Sequence, residues 1–416
     1  MSVELLLVLG LLVIFVIPVI SDINVGVVAF VVAILLGGFA LDLGPREILQ
    51  GFPTQMFVLI VGVTLLLAVA EKNGTVDWIA GAMLTLARGR LVYLPMVLFL
   101  TAFVTSSLGP GAAPVLFVIG AGLIGRYGLN PLLVAAMVIH GTQSGAYSPI
   151  APYGLVIAQL AGEQSIAYQP WSMYAAVVAF HVLLGAGAFL ALGGGRLRAV
   201  EFDPSEGLAA PAEGPSLIRW VTLGGFGGLL LAVIVFGLHL GFVAMVIAFA
   251  LLVVSSKDVR KEAVNNIAWP IVLVITGVLT YVNLIQQAGA IAWLAGFAGD
   301  IGDASLVALV LCYLVSVITG VASTMGTIGM LVPLSTPLLG PDMLDGTGLL
   351  TAMAVSAAVS DISPFSTWGA LFLASVAAVT DRDSVLKSQL VYTAAMVVAM
   401  PLLAWFLFVV LGLVSG

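Results

Sequence analysis

Long apolar runs alternate with short polar stretches along the whole chain, and their lengths predict helices that cross a bilayer. Runs at Glu4–Ile20, Val25–Leu43 and Thr54–Ala70 each match the roughly 17–25 residues a spanning helix needs. A weaker stretch, Gly74–Ala87, carries Asp77 and Trp78 and predicts an interfacial segment. Two shorter arms follow, Val92–Thr105 and Ala112–Ile124, separated by a small-residue turn. Their length predicts a re-entrant helical hairpin, not two crossings. Next, Pro131–Gln143 and Ile150–Leu160 flank a polar break, and Trp171–Leu192 closes the set.

The order then recurs. Ile218–Leu238, Leu240–Ser255 and Trp269–Ile285 predict three spanning helices, and Gly289–Ile301 an interfacial one. A second hairpin falls at Leu306–Ala322 and Ile328–Leu339, a second broken helix at Thr347–Ala378, and a last helix at Leu390–Val414. Displacing the sequence by 215 residues brings Gly26 onto Gly241, Glu47 onto Glu262, Gly62 onto Gly277 and Trp78 onto Trp293. Ser148, Pro149 and Gly154 fall on Ser363, Pro364 and Gly369. Self-similarity at one offset marks a duplicated architecture. Five crossings per unit is an odd number, so the second unit is expected to sit upside down relative to the first. The domains expected are residues 1–195 and 217–416, joined by a linker at 196–216. The fold class expected is an all-α membrane protein: two inverted repeats of five transmembrane helices, each with one re-entrant hairpin.

Four polar interruptions carry the candidate chemistry. The hairpin tips are Ser106-Ser107-Leu108-Gly109 and Ser323-Thr324-Met325-Gly326. The breaks share the pattern S-P-x-x-x-aromatic-G, from Ser148 to Gly154 and from Ser363 to Gly369. Unwinding a helix inside a membrane frees backbone N–H and C=O groups, each costing several kcal/mol if left unsatisfied. Carbonyls with Ser/Thr hydroxyls suit a dehydrated cation, and half-helix N-termini suit a carboxylate. Taken alone, an S-P step is an ordinary kink; two symmetric pairs of interruptions turn the reading towards binding.

Composition agrees with lipid as the solvent: 62% of the 416 residues are hydrophobic and 8% are charged, against about 25% charged in soluble domains. The single cysteine, Cys312, excludes a disulfide framework, and His140, His181 and His239 show no metal-ligand spacing. No paired carboxylates or Ser/His/Asp cluster suggests an enzyme. The first apolar run lacks a basic leader and cleavage site, so it reads as a spanning helix. With the N-terminus outside and ten crossings, Lys72, Arg88, Arg90, Arg126, Arg196, Arg198, Arg219, Lys257, Arg260, Lys261, Arg382 and Lys387 fall in the cytoplasm, and only Arg46 outside. That is the positive-inside pattern, with both termini outside an inner membrane.

Asp361 is the one carboxylate placed well within a spanning element, and its repeat partner is Ala146. It reads as a cation ligand, a proton-coupling group, part of a gate, or a cap on the following half-helix. His140, Gln143 and Ser144 line the end of the opposite half-helix; His140 reads as a substrate contact or a packing residue. Tyr153 and Trp368 read equally as binding or packing aromatics.

The order hairpin, broken helix, hairpin, broken helix resembles the ion-transporter superfamily and, within it, the divalent-anion/sodium symporters. The stretch from Ser106 through Arg126-Tyr127-Gly128 to Ser148-Pro149 and Tyr153-Gly154 looks most like MatC-type dicarboxylate carriers, whose named substrate is malonate. Those symporters carry Ser-Asn-Thr at each tip; here Ser106-Ser107-Leu108 and Ser323-Thr324-Met325 lack the asparagine and the regular third threonine. The resemblance implies one sodium site joining Ser106 and Ser107 to the Ser148 break, and another joining Ser323 and Thr324 to the Ser363 break. Asp361 is the added candidate ligand at the second. A small dicarboxylate would lie between the tips, against Ser107, Leu108, Gly109, Thr324, Met325 and Gly326, with Pro149, Pro364 and Thr367 from the breaks. It also implies a homodimer in the lipid bilayer working as an elevator, with Na+ as the co-transported ion and no organic cofactor. A proton-coupled carrier, a cation/proton antiporter or an oxyanion exporter on the same scaffold are the alternatives.

Overall fold

The computed structural model describes residues 3–21, 23–87, 90–109, 112–199, 216–290, 303–320, 324–339, 343–377 and 379–414. Within them the chain is helical, with an isolated β-bridge between Leu339 and Leu344. The first unit runs α1 (Val3–Ser21), α2 (Val25–Ala40), α3 (Pro45–Leu49), α4 (Thr54–Lys72), α5 (Thr75–Leu84), α6 (Leu94–Leu108), α7 (Ala113–Tyr127), α8 (Pro131–Ala146), α9 (Pro152–Glu163) and α10 (Pro170–Ala191). The second runs α11 (Leu217–Phe236), α12 (Leu240–Val254), α13 (Lys257–Asn265), α14 (Trp269–Gln287), α15 (Ala304–Thr319), α16 (Thr324–Ser335), α17 (Gly346–Ala358), α18 (Thr367–Val376) and α19 (Arg382–Trp405). The protein is an all-α, multi-pass membrane protein. Five described segments are long and apolar enough to cross: Thr54–Lys72, Leu91–Leu108, Pro170–Ala191, Gly346–Val376 and Arg382–Val410.

Several boundaries differ from expectation for local reasons. A 3₁₀ turn at Leu91–Tyr93 continues into α6, so the first hairpin arm is as long as a crossing and its length does not by itself mark a re-entrant arm. The last helix starts at Arg382 and not at Leu390, because Asp381 accepts the Asp383 N–H at 3.2 Å and caps it. Charged Arg382, Asp383 and Lys387 therefore occupy its first two turns. The short α3 and α13 were too brief and polar to read as crossings, yet they carry Glu47 and Glu262 at the common offset. Most of the expected interfacial segment after α14 and most of the linker lie outside the described residues.

Glycine decides how the first three long helices of each unit meet. A Cβ on Gly26 would lie 2.5 Å from the Val274 nitrogen, and one on Gly277 would lie 2.8 Å from the Gly26 carbonyl carbon. The counterpart contact joins Gly241 to Leu59, where a Cβ would come within 2.6 Å of the Leu59 Cα. A Cβ on Gly62 would lie 3.0 Å from the Gly241 carbonyl carbon. Helix α2 thus lies backbone-to-backbone on α14, and α12 on α4, as small residues permit inside membranes.

The hairpins follow the same exchange. Arm α7 packs on α18, with Phe117 and Phe372 edge to face at 5.4 Å, while α16 packs on α9. The tip residue Gly109 rests against Leu67 of α4, and Gly326 against Val274 of α14. Helix α10 measures the distance between the two ends of the molecule. It begins where Gln169 N–H meets Thr347 Oγ1 at 3.2 Å and finishes where Asn130 Nδ2 meets Leu192 O at 3.4 Å. The second hairpin opens at the first of these ends, where Trp405 Nε1 donates to Ser305 O at 2.6 Å. The first hairpin opens at the other, where α7 ends beside Val379.

Candidate functional site

The two breaks have one backbone design. Ser148 N–H donates to Gly145 O at 2.9 Å and Ser363 N–H to Ser360 O at 3.0 Å, which ends each first half-helix. Each serine hydroxyl then accepts from the N–H two residues on: Ile150 N at 3.4 Å and Phe365 N at 3.3 Å. The serine carbonyls accept from Ala151 N and Ser366 N at 2.9 and 3.0 Å. Glycine at the seventh position is required because the restarting helix lies on the preceding carbonyls. A Cβ on Gly154 would stand 2.6 Å from Tyr147 O, and one on Gly369 2.6 Å from Ile362 O. The S-P-x-x-x-aromatic-G pattern is therefore the sequence of this turn.

The freed main-chain groups find protein partners. Ser366 caps α18 by accepting from Gly369 N at 3.3 Å and donates its hydroxyl to Asp361 O at 2.6 Å. Gln389 of α19 donates to Ile362 O and Gly369 O, both at 3.2 Å. The serine hydroxyls at 148 and 363 are thus turn-forming groups, and Asp361 is not the cap of the second half-helix. Gln389 was missed by sequence reading because it lies where charged residues disguised the start of a helix.

Asp361 instead bridges its own unit's tip and the opposite unit's broken helix. Its Oδ2 accepts from Thr324 Oγ1 at 2.6 Å and from the Gln143 side-chain amide. Thr324 is the first residue of α16 at the second tip, Gln143 lies in the last turn of α8, and Asp361 precedes the second break. Tyr153 of the first break reaches the side chains of Thr324 and Trp368. Tyr147 packs edge to face on Tyr153 at 5.3 Å and donates to Ala354 O at 3.0 Å. Both breaks and the second tip therefore meet at one buried point. Asp361 is 2% exposed, and among the described residues no Lys or Arg forms a salt bridge with it.

The first tip joins from the side. Gly141 and Gly145 let α8 lie on the α6 backbone, and a Cβ on Gly145 would be 2.6 Å from Ser107 N and 2.8 Å from Ser106 Cβ. In the second unit Ser360 replaces Gly145 and the glycine moves across to Gly320, with a Ser316–Ser360 hydroxyl pair at 2.6 Å. Thr105 closes the tip by accepting Ala112 N at 3.1 Å. Ser107 Oγ donates to Phe103 O at 2.7 Å and pairs with Tyr174 of α10 at 3.0 Å.

The remaining sequence candidates spread around this point. Leu108 and Ile150 share a small apolar cavity with Val63, Leu67 and Phe226, so Leu108 and Gly109 face α4. Gly326 similarly faces α14. Pro149 is half-buried, Pro364 buried and Thr367 exposed. Ser323 lies outside the described residues, as does the side chain of Met325. Buried side-chain oxygens without a hydrogen-bond partner remain at Ser106, Thr142, Gln143 Oε1 and Thr319. The larger openings, at Gln164–Ala167 with Asp345 and at Gln50–Pro53 with Gln286, lie at the end of the molecule where α10 begins and away from Asp361.

Residues 1–146 match the family model described as dicarboxylate carrier protein MatC N-terminus. Over that stretch the chain is similar to the N-terminal region of such carriers. No curated protein matches the chain. Among solved structures, MtrF of Neisseria gonorrhoeae, presented as illuminating a class of antimetabolite efflux pumps, superposes with a TM-score of 0.57 at 14% identity. The match covers 92% of this chain and 85% of MtrF. At that identity the likeness is one of fold.

Proposed function

We propose that the protein is a secondary active transporter that couples sodium to the uptake of a small dicarboxylate, malonate or a C4 acid, across the inner membrane. The observation that carries this reading is the meeting of Gln143, Tyr153, Thr324 and Asp361, drawn from both breaks and a tip. The MatC match over residues 1–146 supplies the substrate class.

The two units, residues 1–195 and 217–416, are inverted repeats. Support comes from the exchanged glycine contacts of α2 with α14 and α4 with α12, and from hairpins opening at opposite ends of α10. The interlocked helices α1, α2, α4, α11, α12 and α14 form the fixed scaffold of a homodimer. The hairpins, broken helices and last helices move as the elevator, sliding where Gly109 and Gly326 touch the scaffold. Lys72, paired with Glu262 at 3.5 Å, and α13 with Lys257, Arg260 and Lys261 lie at one end, which faces the cytoplasm under the positive-inside rule.

One sodium ion takes oxygens from Ser106, Ser107 and the Ser148 break; the other takes them from Ser323, Thr324, the Ser363 break and Asp361. The unpartnered hydroxyl of Ser106 is a hard donor of the kind such a cation accepts. The dicarboxylate binds beside them, against the tips and the N-termini of α9 and α18. With no salt bridge to a basic residue at Asp361, co-bound cations offset the anion's charge. Uptake of labelled malonate and succinate into proteoliposomes tests this. A sodium gradient is expected to drive accumulation, and Ser107→Ala to weaken the sodium dependence. Accumulation indifferent to sodium and protons alike overturns symport, and the likeness to an efflux pump then makes export the next reading.

A further inference from the structure

Three helices bring together a cluster that the site above does not use. His140 of α8 and His181 of α10 are both fully buried, with their Nδ1 atoms 3.1 Å apart. His140 Nε2 lies 2.9 Å from the Tyr392 hydroxyl of α19, and His181 Nε2 is buried without a hydrogen-bond partner. We propose that the His140–His181 pair is a binding site for one proton, taken up together with the transported anion.

The geometry fixes the count. A contact between two Nδ1 atoms at 3.1 Å holds one hydrogen, donated by one ring and accepted by the other. The four ring nitrogens carry two protons in the neutral pair. A third enters at whichever Nε2 is vacant, and the Nδ1 bridge and the Tyr392 bond both persist. A fourth would set two N–H groups against each other. The pair therefore loads one proton and excludes a second.

Two short links tie the pair to the site. His140 and Gln143 lie three residues apart on one face of α8, and Gln143 holds Asp361. Tyr392 and Gln389 repeat that spacing on α19, and Gln389 holds the carbonyls of the second break. The ionisable groups facing the pair are Tyr392 from α19 and, through Gln143, Asp361. Helices α6, α17 and α18, packed on the same elements, contain no ionisable residue, α7 has only Arg126 and Tyr127 at its far end, α9 carries Tyr153 and Glu163, and α15, packed on α19, carries Cys312 and Tyr313. A buried charge is costly without a counter-charge. A proton on the histidines and an anion beside Asp361 therefore favour each other, and the imidazolium supplies a cationic charge where no described Lys or Arg pairs with Asp361.

This inference rests on the dicarboxylate reading above. Malonate or succinate is added to the detergent-solubilised full chain in weak buffer near pH 8, where the free acids are fully ionised, and a pH dye counts protons. Wild type is expected to take up one proton per anion bound. His181→Gln is expected to take up none and to bind the anion roughly tenfold more weakly. Tyr392→Phe keeps both rings and is expected to keep the count of one. Binding without proton uptake, or uptake unchanged in His181→Gln, overturns the inference. If neither acid binds, the substrate reading fails and the pair is judged separately by nitrogen NMR of histidine-labelled protein between about pH 4 and 9. A single one-proton step shared by His140 and His181 and absent in His181→Gln supports the site. Two independent steps, or none, refute it.

Discussion

Replacing Gly154 by alanine tests whether the helix break is a precisely fitted turn. The added Cβ would sit 2.6 Å from Tyr147 O and nearer still to Ser148 O, whereas real Cβ contacts stay beyond 3.0 Å and are ordinary only from 3.4 Å. Clearing Tyr147 O alone takes a retreat of α9 of about 0.8 Å (3.4 less 2.6 Å), and the nearer Ser148 O demands more. Neither neighbour is a flexible side chain; both are carbonyls fixed by the turn. Overpacking of this kind costs about 1–3 kcal/mol, which exceeds the roughly 0.5–1 kcal/mol that alanine gains over glycine inside a helix.

Tyr153 adjoins Gly154, so the retreat also draws its hydroxyl from Thr324. If the strain is expressed as displacement, the apparent affinity for the dicarboxylate falls about 5- to 150-fold; if it is expressed as instability, the melting temperature drops instead. Gly162→Ala is the control on the same helix, since a Cβ there meets nothing within 4 Å; it is expected to leave transport intact and to melt no lower than wild type. Uptake kinetics in proteoliposomes and thermal melting in detergent measure both arms. A Gly154→Ala protein equal to wild type in each would refute the argument, and so would a control that fails as badly. Gly369→Ala, with Ile362 O in the place of Tyr147 O, is expected to repeat the result.

Two further substitutions probe the buried point itself. Thr324→Val keeps the shape and removes the hydroxyl donated to Asp361 at 2.6 Å. A buried hydrogen bond to a charged group is worth about 1.5–3 kcal/mol, so the sodium concentration for half-maximal uptake is expected to rise about 10- to 150-fold, with Thr324→Ser restoring most of it. Gln389→Leu strips two carbonyls of the second break of their donor; about 1–3 kcal/mol of stability should be lost, read as a lower melting temperature under matched detergent conditions.

Spanning helices, hairpins and breaks were legible in the sequence because lipid leaves only a small set of solutions: apolar length gives the crossings, and Gly or Pro with hydroxyls marks where the ladder stops. The S-P-x-x-x-aromatic-G pattern could be read down to its glycine, since close backbone approach leaves glycine no substitute. What escaped was whatever depends on facing surfaces. Gln143 and Tyr153 were recognisable as site-lining or packing groups, but nothing local showed that Asp361 and Thr324 lie across from them. Gln389 was hidden by its charged neighbours. His140 and His181 stand 41 residues apart, and no periodicity on either helix announces that their rings meet. The exchange of glycine between Gly145 and Gly320 also defeats a residue-by-residue alignment, because either helix of a crossing can supply the missing side chain.

The breaks were expected to need a ligand to satisfy their freed main-chain groups, and the structure changes that argument. Ser148 and Ser363 close their own turns, while Ser366 and Gln389 satisfy the second break from inside the protein. A break that is already satisfied persists through the empty state, as the elevator proposed above requires if it is to return without cargo. The burden of binding then shifts from main-chain hydrogen bonds to charge. Asp361 is buried among neutral donors, and a dicarboxylate brought beside it adds negative charge to negative charge. Self-repulsion at that depth is far larger than the surplus any hydroxyl or amide provides, so the anion and its cations must bind as one neutral group. In the symport proposed above, coupling follows because no described Lys or Arg pairs with Asp361: a lysine or arginine introduced beside Asp361 should bind the anion without its co-ion and uncouple transport.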